Sequence, residues 1–192
     1  MKAFLKVIQL HKNEAKLIKR AIKQNREAQH ALFEMYAPKM LSVCRYYIKD
    51  IQHAEDTMLN GFFKVFTNLK NFEHKGSFEG WIRRIMVREA ISFLRQQKKI
   101  EFPLEDLSNE AEHFENIKTD IEVNEIQELI DSLPNGYKTV FVMYTIEGYK
   151  HHEISDMLGI SEGTSKSQLF KARKMLQEKI KELNKTASYG TI

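Results

Sequence analysis

The sequence predicts an all-α protein built from two small helical domains that are joined by a flexible acidic linker. Apolar residues recur at helical spacing along nearly the whole chain, and strong alternating or β-branched runs are absent. Only three prolines interrupt the 192 residues. The predicted helices span residues 13–24, 27–48, 53–70, 78–97, 123–132, 136–147, 150–158 and 162–183. The last two of them form a predicted helix-turn-helix in the second domain.

The domain boundaries follow from a change of composition after residue 99. Residues 100–122 carry acidic side chains opposed by a single lysine, Lys118, and Pro103 opens this segment. Such a composition is typical of a flexible linker, and an ordinary solvated loop fits it equally well. The predicted organisation is an N-terminal extension (1–12), a helical domain (13–99), the linker (100–122), a helix-turn-helix domain (123–183) and a tail (184–192).

The charge and the cysteine content limit the class of protein. A formal charge of +4 and a pI near 9.0 are compatible with an anionic partner. Cys44 is the only cysteine, which excludes an internal disulfide, and its apolar neighbours favour a buried, inert thiol over a redox sensor. Neither a signal peptide nor an apolar stretch of membrane-spanning length is apparent, so we expect a cytoplasmic protein.

Residues 150–176 carry the pattern of a helix-turn-helix. The short first helix ends at Gly159, a residue suited to the left-handed conformation that terminates helices. Ser161 is a favourable N-cap for the next helix. Since the second helix of this motif enters the major groove of DNA, the spacing predicts sequence-specific DNA binding.

The second helix of this motif has two different faces. Its predicted inner side consists of Ser165, Leu169, Ala172 and Leu176. Its predicted DNA-binding side consists of Thr164, Lys166, Ser167, Phe170, Lys171, Arg173 and Lys174. Lysines reach phosphates, while Ser, Thr and Lys also reach base edges. A solvated face is the alternative for the lysines. Phe170 either contacts a thymine methyl group or the sugar backbone, or packs within its own domain.

The helix predicted over 78–97 carries a second basic surface. Its core side is predicted to hold Ile82, Met86, Val87, Ala90, Phe93 and Leu94, and its polar stripe holds Arg84, Arg88, Ser92 and Arg95. Trp81 heads the stripe, and the preceding loop contributes His74, Lys75, Ser77 and Phe78. Guanidinium groups beside an aromatic ring are what single-stranded or melted DNA requires. Alternatively, Trp81 closes the core and the arginines form a solubilising face.

Both regions resemble a known family, the extracytoplasmic-function sigma factors of the sigma-70 family. The resemblance to their region 2 lies in Ala54-Glu55-Asp56, in Gly61-Phe62-Phe63-Lys64-Val65-Phe66 and in Gly76-Ser77-Phe78-Glu79-Gly80-Trp81-Ile82-Arg83-Arg84-Ile85. The resemblance to region 4 lies in Leu133-Pro134, Glu147-Gly148-Tyr149, Leu158-Gly159-Ile160-Ser161-Glu162-Gly163-Thr164 and Lys171-Ala172-Arg173. It covers residues 13–99 and 123–183, in the family's order.

The resemblance implies a sigma factor that binds core RNA polymerase and promoter DNA. The residues that bind polymerase would be Asp56, Leu59, Asn60 and Phe63. They would contact the β′ clamp helices, and the β flap would be a second polymerase contact of this chain. The loop and helix over 73–95 would melt the −10 element and capture a flipped base, while the helix from Ser161 would read the −35 element. An anti-sigma factor is a further implied partner. Two departures from the family stand out, Leu59-Asn60 in place of Gln-Glu or Gln-Asp, and Arg88 and Ser92 in place of Asn and Asp.

Sequence patterns of catalysis or metal binding are missing. No serine is placed with a histidine in a recognisable motif, and no glycine-rich phosphate loop occurs. His151, His152 and Glu153 are adjacent and fan around a helix, so they cannot converge on one metal ion. We therefore expect no enzyme activity, cofactor, metal or small-molecule substrate. Two alternatives remain open, an operator-binding regulator that dimerises through its N-terminal domain, and a protein-interaction module.

Overall fold

The computed structural model describes residues 14–97, residue 100 and residues 123–189, and these contain helices and turns but no β-strand. The predicted all-α class is therefore confirmed. The chain divides between Phe93 and Leu94 into two compact units. The predicted N-terminal extension and all of the predicted acidic linker after Ile100 lie outside the described residues.

The first unit is built from α1 (residues 14–22), α2 (Arg26–Tyr47), α3 (Ile51–Thr67), a 3-10 turn (Leu69–Asn71) and α4 (Phe78–Gln96), whose last three residues lie beyond the boundary. Side-chain caps set where two of these helices begin. Asn25 accepts a hydrogen bond from the backbone N–H of Ala28, and Asp50 accepts one from that of His53, both at 2.9 Å. The predicted helices agree with the observed ones to within a few residues.

The core of the first unit lies between α2, α3 and α4. Its fully buried side chains include Leu32, Met40, Cys44, Tyr47, Val65, Ile82 and Met86. Helices α3 and α4 approach closely at Gly61. A Cβ atom placed on this residue would lie 2.3 Å from the Met86 sulfur. Burial raises the pKa of the Cys44 thiol to about 12, so the thiol stays protonated and inert, as predicted.

The second unit is built from α5 (Val123–Asp131), α6 (Asn135–Phe141), a π-helical turn (Val142–Ile146), α7 (His151–Leu158) and α8 (Glu162–Tyr189). The helix predicted over 136–147 is α-helical only in its first half. In the second half the backbone widens, and the N–H of Glu147 donates to the carbonyl of Val142 at 2.9 Å. Helix α8 continues beyond its predicted end at residue 183.

The core of the second unit lies between α6, α7 and α8. Its buried apolar side chains include Leu133, Val140, Met143, Ile154, Leu158, Leu169 and Ala172. Four polar side chains, those of Lys138, Thr139, Ser165 and Gln168, share this interior. Lys138 is 2% exposed and Gln168 is 1% exposed. The sequence pattern did not predict either of them as buried.

Candidate nucleic-acid and protein interfaces

Helix α3 exposes two large apolar side chains to solvent among the predicted polymerase-binding residues. Asp56, Leu59, Asn60 and Phe63 are all exposed, and their spacing places them on one face of the helix. Leu59 is 51% exposed and Phe63 is 70% exposed. Large apolar side chains left in solvent next to one another mark an interaction surface. We call these four residues the α3 face.

The polar stripe of α4 is exposed along its length, as the helical wheel predicted. Arg84, Arg88, Ser92 and Arg95 all lie at the surface. The opposite side is buried and consists of Ile82, Met86, Val87, Ala90, Ile91 and Leu94. The wheel missed Ile91, which is 3% exposed, and included Phe93, which is only half-buried. The guanidinium groups are thus presented by a helix whose other side is fixed in the core.

An aromatic cluster supports the start of α4. Phe78 stacks on Trp81 with ring centroids 5.8 Å apart, and Phe72 lies 5.1 Å from Phe78 and 5.5 Å from Trp81. Phe78 is 2% exposed, which corrects its prediction as a DNA-binding residue, because a ring enclosed by other aromatics cannot reach a base. Trp81 is half-buried, so it helps to close the cluster while part of its ring stays accessible.

A cleft of about 270 Å³ opens between this cluster and the preceding loop. It is lined by Phe72, Lys75, Gly76, Ser77, Trp81 and Arg84, among others. The loop turns sharply, since His74 and Gly76 both have positive φ, of 57° and 100°. Ser77 accepts a hydrogen bond from the N–H of Gly80 at 3.0 Å and so caps α4. The cleft combines a ring face with cationic and polar groups.

The predicted helix-turn-helix geometry is confirmed at its turn. Gly159 adopts the left-handed conformation, with φ of 69° and ψ of 38°. The hydroxyl of Ser161 accepts a hydrogen bond from the N–H of Thr164 at 2.9 Å, which caps the start of α8. Ser165, Leu169 and Ala172 are buried on the inner side, as predicted, while Leu176 is half-buried.

The opposite side of α8 carries the predicted DNA-binding residues. Lys166 is exposed, and the half-buried members are Thr164, Ser167, Phe170, Lys171, Arg173 and Lys174. The Lys166 ammonium lies 3.9 Å from the carboxylate of Glu162. The Ser167 hydroxyl donates to the carbonyl of Thr164 at 3.0 Å. This side of α8 therefore carries cationic and hydroxyl side chains on one helical surface, which we call the α8 face.

A contact cluster beside the α8 face was missed by the sequence reasoning. Tyr144 stacks on His151 with centroids 4.6 Å apart, and the Arg173 guanidinium lies 5.7 Å from the Tyr144 ring centroid. The Nδ1 atom of His151 lies 2.9 Å from the Ser165 hydroxyl. These residues come from three different elements, so their meeting could not be read from local spacing.

Within residues 14–97 and 123–189, no group of three or more histidine, cysteine, aspartate or glutamate side chains is arranged to hold a metal ion. None of the helices in those ranges combines the length and apolar character that crossing a membrane requires.

Comparison with known families gives two matches in one chain. The Sigma-70 region 2 family matches residues 32–100, and the Sigma-70, region 4 family matches residues 124–176. The chain is 29% identical over 136 residues to the RNA polymerase sigma factor SigV of Bacillus subtilis, covering 68% of this chain and 78% of that protein. It is 26% identical over 185 residues to the ECF RNA polymerase sigma factor SigW of the same organism, covering 87% and 98%.

The fold is also similar to that of a solved structure. The sigma factor RpoE from Bartonella quintana, solved in complex with the anti-sigma factor NepR, superposes with a TM-score of 0.53 at 16% identity, over 79% of this chain and 96% of that one. A likeness at this identity concerns the fold alone. With both sigma-70 regions present in order, and relatives of this kind along most of its length, the chain belongs to the extracytoplasmic-function sigma factors of the sigma-70 family.

Proposed function

We propose that this sigma factor divides promoter recognition between two domains, residues 13–99 and residues 123–183, joined by the linker 100–122. The N-terminal extension (1–12) and the tail (184–192) lie outside this division. The two family matches, over 32–100 and 124–176, support these boundaries. The operator-binding alternative receives no support from them, since dimerisation through region 2 is not what that family match implies.

The α3 face binds the β′ clamp helices of core RNA polymerase in this proposal. The supporting observation is the exposure of Leu59 and Phe63, at 51% and 70%. Burying such side chains against a partner contributes about 25 cal/mol for each Å² removed from water. Leu59 and Asn60 replace polar or acidic residues of the family, so the contact here depends more on apolar burial and less on charge. The β flap is a second proposed contact, through the second domain.

The α4 stripe and the cleft beside it bind and melt the −10 element. Arg84, Arg88 and Arg95, with Lys75, supply cations for the phosphates, while Ser92, Ser77 and His74 supply polar groups. Trp81, which lines the cleft of about 270 Å³, offers its ring to an unstacked base that enters there. Phe78 holds Trp81 in place from within the core. The exposed arginine row next to this cleft is the observation that carries the proposal.

The α8 face reads the −35 element in the major groove. Lys166, Lys171, Arg173 and Lys174 contact phosphates, with Lys171 also within reach of base edges from that side of the helix. Thr164 and Ser167 contribute hydroxyls, and Phe170 meets a thymine methyl group or the sugar backbone. The cap at Ser161 and the turn at Gly159 hold this helix against α7, which fixes the angle at which it enters the groove.

Each domain binds DNA weakly alone, and tethering both to the polymerase raises their effective concentration at two promoter elements. An anti-sigma factor is a proposed partner, because the similar RpoE structure was solved with one. The protein acts in the cytoplasm, where the polymerase works. It contributes binding and no chemistry of its own.

The proposal is tested by mixing the purified chain with sigma-free core polymerase and sequencing the transcripts from genomic DNA. Promoter-specific transcripts are expected, and they should disappear for the charge-reversed variant Arg84→Glu/Arg88→Glu. Lys171→Glu should reduce them while leaving polymerase association intact. A chain that instead shifts duplex DNA alone as a dimer, and yields no transcripts, would overturn the proposal.

A further inference from the structure

Tyr144 bridges three elements of the second unit. It lies in the π-helical turn, and its ring stacks on the imidazole of His151, the first residue of α7, with centroids 4.6 Å apart and planes inclined by 23°. The guanidinium carbon of Arg173, on α8, lies 5.7 Å from the centroid of the same ring. This distance is within the range of a cation–π interaction. Tyr144 therefore connects the turn, the first helix and the second helix of the motif.

The Tyr144 ring is also connected to α8 through its second neighbour, His151. The Nδ1 atom of His151 lies 2.9 Å from the hydroxyl of Ser165, whose side chain is completely buried on the inner side of α8. Ser165 and Arg173 are both on α8, about two helical turns apart. Tyr144 is thus linked to α8 directly through Arg173 and indirectly through His151, so its position relative to the α8 face is defined.

The charges around the ring favour this arrangement. Burial lowers the pKa of His151, and Lys166 and Arg173 on α8 lower it as well, against an opposite effect of Glu162. A neutral imidazole therefore stacks on the Tyr144 ring. Because the ring attracts cations through the negative potential of its face, a charged imidazole there would compete with Arg173.

We propose that Tyr144 is a positioning residue for promoter reading, which holds Arg173 in the orientation in which it contacts the −35 DNA backbone. The inference rests on the proposed function of the α8 face and extends it to a residue outside that face. An arginine that is already held over an aromatic ring loses less conformational freedom when it binds a phosphate. Its guanidinium group can stack on a ring and still donate in its own plane to an oxygen.

The test uses holoenzyme reconstituted from the full chain and sigma-free core polymerase. The probe is the duplex that the unsubstituted holoenzyme enriches from a randomised library. Tyr144→Leu should weaken its binding roughly threefold to tenfold, while Tyr144→Phe, which keeps the ring face, should stay within about twofold. Thermal unfolding of each variant is measured alongside, and the loss of affinity is expected without a matching loss of stability.

A double-mutant cycle separates positioning from general structural support. Arg173→Gln should weaken binding, and adding Tyr144→Leu to it should cause no further loss, because the arginine that the ring positions is already gone. Lys166→Gln is the matched control, and its effect should add to that of Tyr144→Leu. Binding by Arg173→Gln should also depend less on salt, with the logarithmic slope smaller by about 0.9 for one lost phosphate contact.

The outcomes separate this inference from the function on which it rests. If Lys171→Glu and Arg173→Gln both leave binding unchanged, the proposed function of the α8 face fails and the inference fails with it. If those two variants weaken binding while Tyr144→Leu does not, or if the cycle is additive, only the role of Tyr144 is overturned. If Tyr144→Leu does not fold, DNA binding by Arg173→Lys tests the role of Tyr144 instead. Lysine keeps the charge and loses the stacking, so undiminished binding by that variant also overturns the role.

Discussion

The ammonium group of Lys138 on α6 lies 3.5 Å from a carboxylate oxygen of Asp131 at the end of α5, and both side chains are almost completely buried, at 2% and 6% exposure. Removing two charges from water costs about as much as their attraction returns. The pair therefore adds little net stability to the unit. Removing only one partner, however, should destabilise the unit strongly.

We predict that Lys138→Met lowers the free energy of unfolding by about 3 kcal/mol, because it leaves the Asp131 carboxylate buried without its lysine. The double variant Lys138→Met/Asp131→Leu should regain most of that loss. Urea denaturation of the full chain, followed by circular dichroism, measures both. The control is Lys64→Met, which breaks the more exposed pair with Glu89 and should cost at most about 1 kcal/mol. Equal losses at the two sites would contradict the prediction.

The stability of the second unit should decrease with acidification, in part through His151. Burial and the neighbouring cations lower the pKa of this histidine below its ordinary value of 6.5. The unfolded chain therefore takes up the proton at a higher pH than the folded chain does. The free energy of unfolding consequently falls as the pH drops through about 6.5 and below.

Measuring urea denaturation between about pH 8 and about pH 5 checks this dependence, since that window contains the histidine titration. His151→Gln should show a weaker decrease than the unsubstituted chain. His152→Gln, which changes the exposed neighbour on the same helix, should follow the unsubstituted chain. If all three proteins lose stability in parallel, His151 does not contribute.

Local patterns predicted the helices and the turn of the helix-turn-helix, because both depend on nearby residues. Apolar periodicity located the helices, and the conformational freedom of glycine located Gly159. The π-helical turn after Phe141 was not predicted. Whether the Glu147 N–H bonds to the carbonyl five residues back is decided by packing around the turn, for which the sequence offers no local signal.

The candidate sites, too, were predicted where they depend on nearby residues and missed where they depend on packing between elements. The exposed stripe of α4 follows from helical periodicity and was predicted. Phe78 was predicted as a DNA-binding residue of the loop before α4, whereas Tyr36 from α2 and Phe72 from before the loop enclose its ring. The contact between Tyr144 and Arg173 likewise joins residues of separate elements. Contacts between elements that are distant in sequence are what a single sequence does not specify.

The α3 face gives a prediction with a matched control on the same helix. Leu59→Glu should weaken binding to core polymerase at least about tenfold, because it removes apolar contact area and introduces a charge that must be desolvated. Ile51 is as exposed as Leu59, at 49% against 51%, but it lies at the start of α3, outside the α3 face. Ile51→Glu should therefore have little effect. Fluorescence titration of labelled chain with core polymerase measures both, and similar losses for the two variants would argue against this surface.

Phe78 and Trp81 are in contact, but substituting them should affect different properties, stability for Phe78 and promoter melting for Trp81. Phe78→Ala removes a fully buried ring and should lower the free energy of unfolding by about 3–5 kcal/mol. Trp81→Ala removes a half-buried ring, so the loss of stability should be clearly smaller, while promoter melting should suffer because an unstacked base loses its platform. Permanganate reactivity of thymines in the open complex measures melting, with polymerase association as the control for both variants. A Trp81→Ala holoenzyme that melts promoters normally would mean that this ring serves only to close the aromatic cluster.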